Sequence, residues 1–268
     1  MLGANAYGKA EIRVVKVVRG PERHLLRDLT AHVTLRGDFE AVHVAGDNSG
    51  LPATDTMRNV VYAFAVDHSL RSLPDFAAVL ASHFAGLGPV ESATVRLHEH
   101  PWERLDEHAW QRGAGGRRVV VAEAGPLGVR HAGGIEDLLV LRSSGSGFSG
   151  FDRDRYTTLP ETDDRILATI VTADWDHSGV PAEESWAATR DTLLRAFTDH
   201  FSPSVQFTLH RMGTAALEAD PELDRIHLTL PNRHHLPYDV SRFGVENRGE
   251  VFHATSEPYG LIEATVER

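Results

Sequence analysis

The sequence predicts an α+β fold in which each half of the chain supplies two strands, two helices and two further strands to an antiparallel sheet with its helices on one face. Two observations predict it. Apolar residues alternate with polar ones or cluster as β-branched residues in eight short segments, and they recur at helical intervals in four longer segments. The segments follow the same order in residues 1–132 as in residues 133–268, and no low-complexity segment separates these halves.

The first half begins with two predicted strands. Residues 11–19 are rich in β-branched side chains, and residues 29–39 alternate apolar and polar ones. Asp55 is placed to cap one helix, and Ser72 precedes a Leu-Pro pair that opens another, because a serine side chain accepts an N-terminal amide bond and proline fits the first turn. Further strands are predicted at the segments 90–98 and 117–122.

The second half repeats this order. We predict strands at 135–142 and 166–175, helices at 183–201 and 204–217, and strands at 226–230 and 259–266. The serine- and glycine-rich loop 143–147 is predicted to be polar and flexible. An antiparallel sheet of this kind has exposed edges, and closing the sheets of several subunits into one barrel would remove them, although composition alone does not select that solution.

The composition excludes several classes of function. The chain has no cysteine, which excludes disulfides, thiolate nucleophiles and iron–sulfur clusters. Its 27 basic and 38 acidic residues give a net charge of −11, which disfavours nucleic acid and anionic membranes as partners. An anionic substrate would therefore need a local cation.

The termini and the apolar segments favour a cytoplasmic bacterial protein. No run of 18 apolar residues is present, so we expect no transmembrane helix. Residues 1–7 lack the basic flank and apolar centre of a secretory signal, and the last residues, 264–268, are not a peroxisomal signal.

Lys9 and Lys16 are the only lysines, against 25 arginines. Compositional drift toward arginine accounts for the bias as a whole. A lysine in such a chain is nevertheless a candidate for proton transfer, because lysine can lose its proton in proteins and arginine does not.

Several separated motifs, collinear from residue 7 to residue 265, resemble the urate oxidase family. The motifs are Tyr7-Gly8-Lys9, Gly46-Asp47-Asn48, Ala53-Thr54-Asp55-Thr56 with Asn59, Gly134-Ile135 with Leu138, Ser146-Gly147-Phe148 with Gly150-Phe151, Asp154, Tyr156-Thr157-Thr158-Leu159, Asp164-Arg165-Ile166-Leu167, Val205-Gln206 with Thr208, Leu230-Pro231-Asn232-Arg233-His234 and Pro258-Tyr259-Gly260-Leu261-Ile262. Each tripeptide is weak alone, and their order along the whole chain makes the resemblance specific.

This resemblance implies the tunnelling fold, with one repeat in 1–132 and another in 133–268, and a homotetramer whose barrel encloses a tunnel and whose active sites lie at subunit interfaces. It also implies that urate, O2 and water become 5-hydroxyisourate and H2O2 in purine degradation, with neither metal nor organic cofactor.

The resemblance carries substrate-binding roles to residues on several segments. Phe148 would stack on the flat urate ring, and Arg165 would bind one ring edge with its planar fork and supply the positive charge. Gln206, beside the backbone N–H of Val205, would bind the mixed amide edge. Each also has a purely structural interpretation: a core phenylalanine, a surface arginine or a helix-capping glutamine.

The remaining assignments concern the other end of the ring and the chemistry. Thr54 and Asp55 would contact urate, although both also suit simple N-capping of the following helix. Lys9, Thr54 and His234 match the family's proton relay. Asn232 resembles the residue that holds O2 or water above the ring.

Two positions depart from the family pattern, and one neighbouring residue is interpreted structurally. His210 stands where the family usually has tyrosine, and His177 lies near a usual aromatic, so packing is affected more than the relay. His235 follows His234 and would point elsewhere in an extended segment, which favours a structural role.

Three other functions are considered. His98-Glu99-His100 places two histidines on one strand face, but a zinc site needs a third ligand. A pterin-pathway enzyme on the same fold would need zinc-ligand histidines and often a cysteine. A non-catalytic purine-binding module would not need the relay residues Lys9, Thr54 and His234.

Overall fold

The computed structural model describes residues 1–268 and has an α+β architecture with antiparallel strand pairing, as predicted. Its elements are β1 (Tyr7–Val18), β2 (Leu25–Gly37), α1 (Glu40–Ala45), α2 (Thr54–Asp67), α3 (Leu73–Ala85), β3 (Val90–Glu99), β4 (Trp102–Arg104), β5 (Trp110–Arg112), β6 (Arg117–Gly125), β7 (Gly128–Arg142), β8 (Leu167–His177), α4 (Ser185–Thr198), α5 (Val205–Ala219), β9 (Leu223–Thr229), β10 (His235–Pro237), a 3-10 helix (Ser241–Phe243), β11 (Phe252–Ala254) and β12 (Glu263–Glu267). No helix combines the length and apolar character that crossing a membrane requires.

Two compact units divide the chain, and strands β7 and β8 have residues in both. The first unit contains residues 1–134 and 175–187, and the second contains residues 135–174 and 188–268. Neighbouring strands follow the order β1-β2-β3-β6-β7 in the first unit and β7-β8-β9-β12 in the second.

The core of the first unit lies between the sheet and helices α2 and α3. Strand β2 pairs antiparallel with β1 and β3, so Val33 lies opposite Lys9 on one side and opposite Val95 on the other. Alternate residues of β2, including Val33 and Leu35, are buried in one cluster with Val61 of α2 and residues of α3. The period-two pattern of β2 therefore becomes one buried and one more open face of the sheet.

Local signals define the start of α3 as predicted. The side chain of Ser72 accepts a hydrogen bond of 3.2 Å from the backbone N–H of Asp75, and Pro74 lies in the first turn. Both features remove or satisfy N–H groups that have no acceptor within the helix.

In the second unit, α5 packs on β9 and β12. A glycine permits the close approach: a Cβ atom on Gly213 would lie 2.6 Å from the Val266 side chain. Ser204 caps this helix by accepting from the N–H of Phe207 at 3.1 Å. Residues of α5 such as Leu209 and Met212 are buried, as their helical spacing predicts.

Several short elements were not predicted. They are α1, the hairpin β4–β5, the hairpin β10–β11 and the 3-10 helix, none longer than six residues. Segments this short show too few periods for a hydrophobic pattern to be recognised. The last strand is shorter than predicted and begins at Glu263, because Gly260 forms only an isolated bridge with Asn232.

Candidate active site

Phe148 lies at the end of a loop that backbone hydrogen bonds hold on two sides. Its N–H donates to the carbonyl of Thr162 at 2.7 Å, and the Thr162 N–H donates back at 3.0 Å. The N–H of Gly147 donates to the carbonyl of Ser202 at 2.8 Å, and Ser146 is fully buried. The prediction of a flexible loop over 143–147 is therefore wrong for its last two residues, because partners far along the chain satisfy their backbone groups.

The guanidinium of Arg165 lies over the ring of Phe148. The backbone N–H of Arg165 donates to the carbonyl of Ser146 at 2.7 Å, and its guanidinium carbon lies 5.4 Å from the ring centroid of Phe148. The side chain is half-buried, and its Nε atom is buried without a hydrogen-bond partner. Burial lowers the pKa of Arg165 from its ordinary value, and no carboxylate of the chain pairs with it.

A half-buried guanidinium with no acidic partner carries a desolvation cost that an anion could offset. The aromatic face beside it can hold a planar ring, and an arginine fork can bind two acceptors on one edge of such a ring. The pair formed by Phe148 and Arg165 therefore has the chemistry of a site for a flat anion.

A second aromatic ring, from Phe151, stacks on Phe148, although no role was predicted for Phe151. The two ring centroids are 5.0 Å apart and the planes differ by 12°. Arg153 lies over the Phe151 ring at 5.5 Å. The only sequence signal was the repeated Gly-Phe pair three residues apart, at residues 147–148 and 150–151.

The start of α5 presents backbone N–H groups. Val205 is the first helical residue and is buried, while the side chain of Gln206 is exposed. Because Ser204 supplies the cap, the interpretation of Gln206 as a helix-capping residue is wrong. The N–H groups of Val205 and Gln206 lie in the first turn, where no acceptor exists within the helix.

Ser202 connects the Phe148 loop to α5. Its N–H donates to the carbonyl of Gly145 at 2.9 Å, and its hydroxyl donates to the carbonyl of Ser204 at 3.1 Å. The hydroxyl of Thr208 in turn donates to the Ser202 oxygen at 2.8 Å. These bonds bring the loop that carries Phe148 to the beginning of the helix that carries Gln206.

Asn232 and His234 follow strand β9. Asn232 is 9% exposed, its N–H donates to the carbonyl of Gly260 at 2.8 Å, and it forms isolated bridges with Thr169 and Gly260. The carbonyl of His234 accepts from the N–H of Thr255 at 2.9 Å, and its half-buried ring makes no hydrogen bond within the chain. The neighbouring His235 ring contacts the carbonyl of Arg233 at 3.1 Å.

In the first unit, the two lysines have different environments. The ammonium of Lys16 donates to three carbonyls at the C-terminal end of α2, those of Ala65, Val66 and His68, at 2.7–2.9 Å. This is a stabilising interaction with the negative end of a helix. Lys9 is half-buried on β1, and its ammonium makes no hydrogen bond or ion pair within the chain.

Thr54 and Asp55 lie in the first turn of α2. The N-cap residue is Ala53, whose backbone is extended, so the prediction that Asp55 caps this helix is wrong. Two residues after this cap, the carboxylate of Asp55 pairs instead with Arg58 at 2.6 Å, while Thr54 is half-buried. The N–H groups of Thr54 and Asp55 are free of intrahelical acceptors.

The predicted site residues thus divide between the two units. Lys9, Thr54 and Asp55 belong to the first unit. The second unit contains the remaining six, which are Phe148, Arg165, Val205, Gln206, Asn232 and His234.

The histidines singled out by the sequence have protein partners. His98 contacts the Nε of Arg96 at 3.1 Å, and His100 contacts the hydroxyl of Thr30 at 2.8 Å. No group of three acidic or histidine side chains is arranged to hold a metal. His177 accepts from the indole N–H of Trp175 at 3.1 Å, and His210 is exposed on α5.

Comparison with known proteins gives consistent matches along the whole chain. A family model described as Uricase matches residues 5–128 and 131–263. A uricase of Arthrobacter globiformis is 45% identical over 273 residues, covering 100% of this chain and 90% of that protein. A uricase of Dictyostelium discoideum is 37% identical over 276 residues, covering 98% of this chain and 96% of that protein.

Solved structures agree with these matches. The crystal structure of the Arthrobacter globiformis uricase superposes with a TM-score of 0.96 at 45% identity and covers 100% of this chain and 95% of that one. A uricase from Bacillus fastidious has a TM-score of 0.84 at 22% identity, covering 98% of this chain and 93% of that one, and supports the fold alone.

Proposed function

Because the chain belongs to the uricase family, we propose that it oxidises urate with O2 and water to 5-hydroxyisourate and H2O2 in purine degradation. The protein is a urate oxidase, an oxidoreductase, and not a non-catalytic purine-binding module. The observation that carries the chemistry is the half-buried, unpaired guanidinium of Arg165 against the ring of Phe148.

Substrate binding is proposed to use both rigid backbone and planar side chains. Urate stacks on Phe148, and Arg165 binds one edge of the anion. The free N–H of Val205 and the amide of Gln206 bind the opposite polar edge. Thr54 and Asp55 contact the far end through their first-turn N–H groups and the threonine hydroxyl.

The reaction transfers two electrons from urate to O2, and water adds to the oxidised ring. Urate must lose a proton before it releases an electron, and we propose that Lys9, Thr54 and His234 carry this proton. The unpaired ammonium of Lys9 and the unpaired ring of His234 are available for such a relay. Asn232 holds O2 or water above the ring.

The assembly is also proposed. The element order of residues 1–132 and of residues 133–268 is ββααββ with short insertions, which supports two tandem repeats of the tunnelling fold. Strands β1 and β12 end the strand order and leave one side of each unpaired, which supports closure with other chains into the barrel of a homotetramer. The active sites would then lie at subunit interfaces.

The cytoplasmic location and the independence from any metal or organic cofactor belong to the same proposal. In this proposal, urate gives its electrons directly to O2, and the side chains of Lys9, Thr54 and His234 transfer the proton.

The test is to follow the loss of urate's near-ultraviolet absorbance together with H2O2, with and without a chelator. One H2O2 should form for each urate consumed, and the chelator should leave the rate unchanged. Activity lost with the chelator and restored by a metal would contradict cofactor-independent oxidation.

A further inference from the structure

Lys9 lies on the helix-bearing face of the sheet, although simple strand alternation from Ile12 would place it on the other face. Residues three apart in a regular strand point to opposite faces. Yet Lys9 lies opposite Val33, and Ile12 lies opposite Ala31, and both partners are buried in the core beneath α2 and α3. Directly opposed side chains of antiparallel strands share a face.

A β-bulge between Lys9 and Ile12 shifts the register, so that both side chains lie on the same face of the sheet. Two residues of β1, Ala10 and Glu11, occupy the space opposite the single residue His32 of β2. Glu11 has a φ of 57°, in the left-handed region that side chains other than glycine, asparagine and aspartate rarely adopt. Its side chain is 80% exposed and makes only a 3.6 Å contact with His32, so the backbone, rather than the carboxylate, distinguishes this position.

A similar segment, which begins at Gly134 within β7, lacks the lysine. Residues 134–138, Gly-Ile-Glu-Asp-Leu, correspond to residues 8–12, Gly-Lys-Ala-Glu-Ile. Asp137 has a φ of 59°, and it is exposed as Glu11 is. Ile135, at the position of Lys9, is fully buried, so in this segment the position carries an ordinary core residue.

We propose that Glu11 is a positioning residue for Lys9: its left-handed backbone closes the bulge that places the ammonium on the face where α2 begins with Thr54. The inference rests on the proposed function, because the position of Lys9 matters to the reaction only if Lys9 belongs to the proton relay. The bulge changes the direction of a side chain near a reaction site, which is a common use of such irregularities.

Deletions of different length test the face assignment. Removing Ala10 alone gives a regular strand in which Lys9 keeps Val33 as its partner, and kcat should stay within about tenfold of the unmodified enzyme. Removing both Ala10 and Glu11 places Lys9 opposite His32 on the other face, and kcat should fall about 10²-fold or more while KM for urate changes little. A folded two-residue deletion with full activity overturns the proposal, as does a folded one-residue deletion as inactive as Lys9→Met.

Substitutions test the backbone without changing chain length. Glu11→Gly and Glu11→Asn permit the left-handed conformation and should retain kcat, whereas Glu11→Val disfavours it and should lower kcat about tenfold or more. The matched control is Asp137→Val, which strains the similar position of the second unit and should lower thermal stability without a selective loss of kcat.

Equal kcat for folded Glu11→Val and Glu11→Gly would overturn the inference. Lys9→Met reports on the relay alone: if it retains full activity, the proposed role of Lys9 is wrong. If Lys9→Met is inactive while the two-residue deletion is active, the relay stands and the positioning role of Glu11 is wrong.

Discussion

At the scale of single residues, Arg165 carries a charge that the rest of the chain leaves unpaired. The protein has a net charge of −11, so carboxylates are abundant, yet none pairs with this half-buried guanidinium. Buried charges in proteins are usually paired or bound to a ligand. The missing partner is therefore a more specific indication of an anionic substrate than the presence of an arginine in the sequence.

We predict that Arg165→Ala raises KM for urate. Arg165→Lys should recover only part of the affinity, because a lysine ammonium cannot form the bidentate hydrogen bonds of a guanidinium. Steady-state kinetics and equilibrium binding of urate measure the effect. Arg211→Ala is the control, since Arg211 is 49% exposed on α5 and pairs with Asp199. Unchanged affinity in both Arg165 variants would remove this residue from the site.

The two lysines permit a prediction with a built-in control. Lys9→Met should lower kcat by about 10²–10⁴-fold with little change in urate binding, because it removes proton transfer. Lys9→Arg should not restore activity, since arginine keeps its proton. Lys16→Met removes a helix-end interaction, so it should lower thermal stability and leave kcat unchanged. A near-normal Lys9→Arg enzyme would show that only the charge matters.

At the scale of elements, two serine caps make the same bond at different places. Ser204 caps α5 beside the Phe148 loop, and Ser72 caps α3. Ser204→Ala and Ser72→Ala should each cost about 1 kcal/mol of unfolding free energy. Only Ser204→Ala should also raise KM for urate, because fraying of the first turn displaces the N–H groups of Val205 and Gln206. Denaturation curves of both variants give the loss of stability, and steady-state kinetics give their KM for urate. Equal KM values for the two variants would exclude the start of α5 from substrate binding.

The segment 175–187 is held in the first unit by a cluster of charges around Glu183. Its carboxylate accepts from Arg118 at 2.6 and 3.1 Å, from Arg27 at 2.7 Å and from the N–H of Leu73 at 2.9 Å. Burial acts to raise the pKa of Glu183, but hydrogen bonds and charges from Arg118 and Arg27 prevail, so this pKa lies below its ordinary value of 4.5.

Glu183→Ala should cost about 3 kcal/mol of unfolding free energy, the lower end of the range for a broken buried pair, because Arg118, only 7% exposed, loses its nearest carboxylate and keeps only a 3.6 Å contact with Glu99. The depressed pKa means that the stabilisation is complete above pH 4.5 and is lost as pH falls through the lower folded-state value. The stability difference between the unmodified protein and Glu183→Gln should therefore shrink below pH 4.5. Glu123→Ala, which breaks an exposed pair with Arg130, should cost no more than about 1 kcal/mol.

At the scale of the whole molecule, strands β1 and β12 have one unpaired side, and such edges favour association unless they are protected. In a symmetric assembly the same interface repeats, so one shared site would occur in several copies. This is the physical basis for expecting Thr54 of one subunit and Arg165 of its neighbour in one active site.

Mixing two inactive variants tests this expectation. Assayed at a urate concentration far below the raised KM of Arg165→Ala, the Thr54→Ala and Arg165→Ala proteins should each be nearly inactive. If they are unfolded together in equal amounts and reassembled at random, about a quarter of the sites should receive both intact residues. Recovery of activity near that level, measured against co-refolded unmodified protein, supports a shared site. A mixture that stays inactive while the control recovers would place Thr54 and Arg165 of one site on one chain.

Several features were predictable because their signals are local. Ser72 and Pro74 mark the start of α3, and the alternation in β2 marks its buried face. The hairpin β4–β5 has only three residues in each strand, which is too short for a periodic pattern. The predicted helix 183–201 begins instead at Ser185, since Glu183 binds two arginines that are distant in sequence.

Sequence alone determined the element types, the acidic surface, the lack of thiol chemistry and, through ordered motifs, the family resemblance. Tertiary structure decided which groups are left unpaired and which way they point. Ser146 is buried by partners near residues 165 and 202, Arg165 lacks a carboxylate, and Lys9 faces the helices because the bulge at Ala10 and Glu11 accommodates the extra residue of β1. The physical reason is that propensity and periodicity act over a few neighbouring residues, whereas burial, pairing and strand register depend on partners far along the chain.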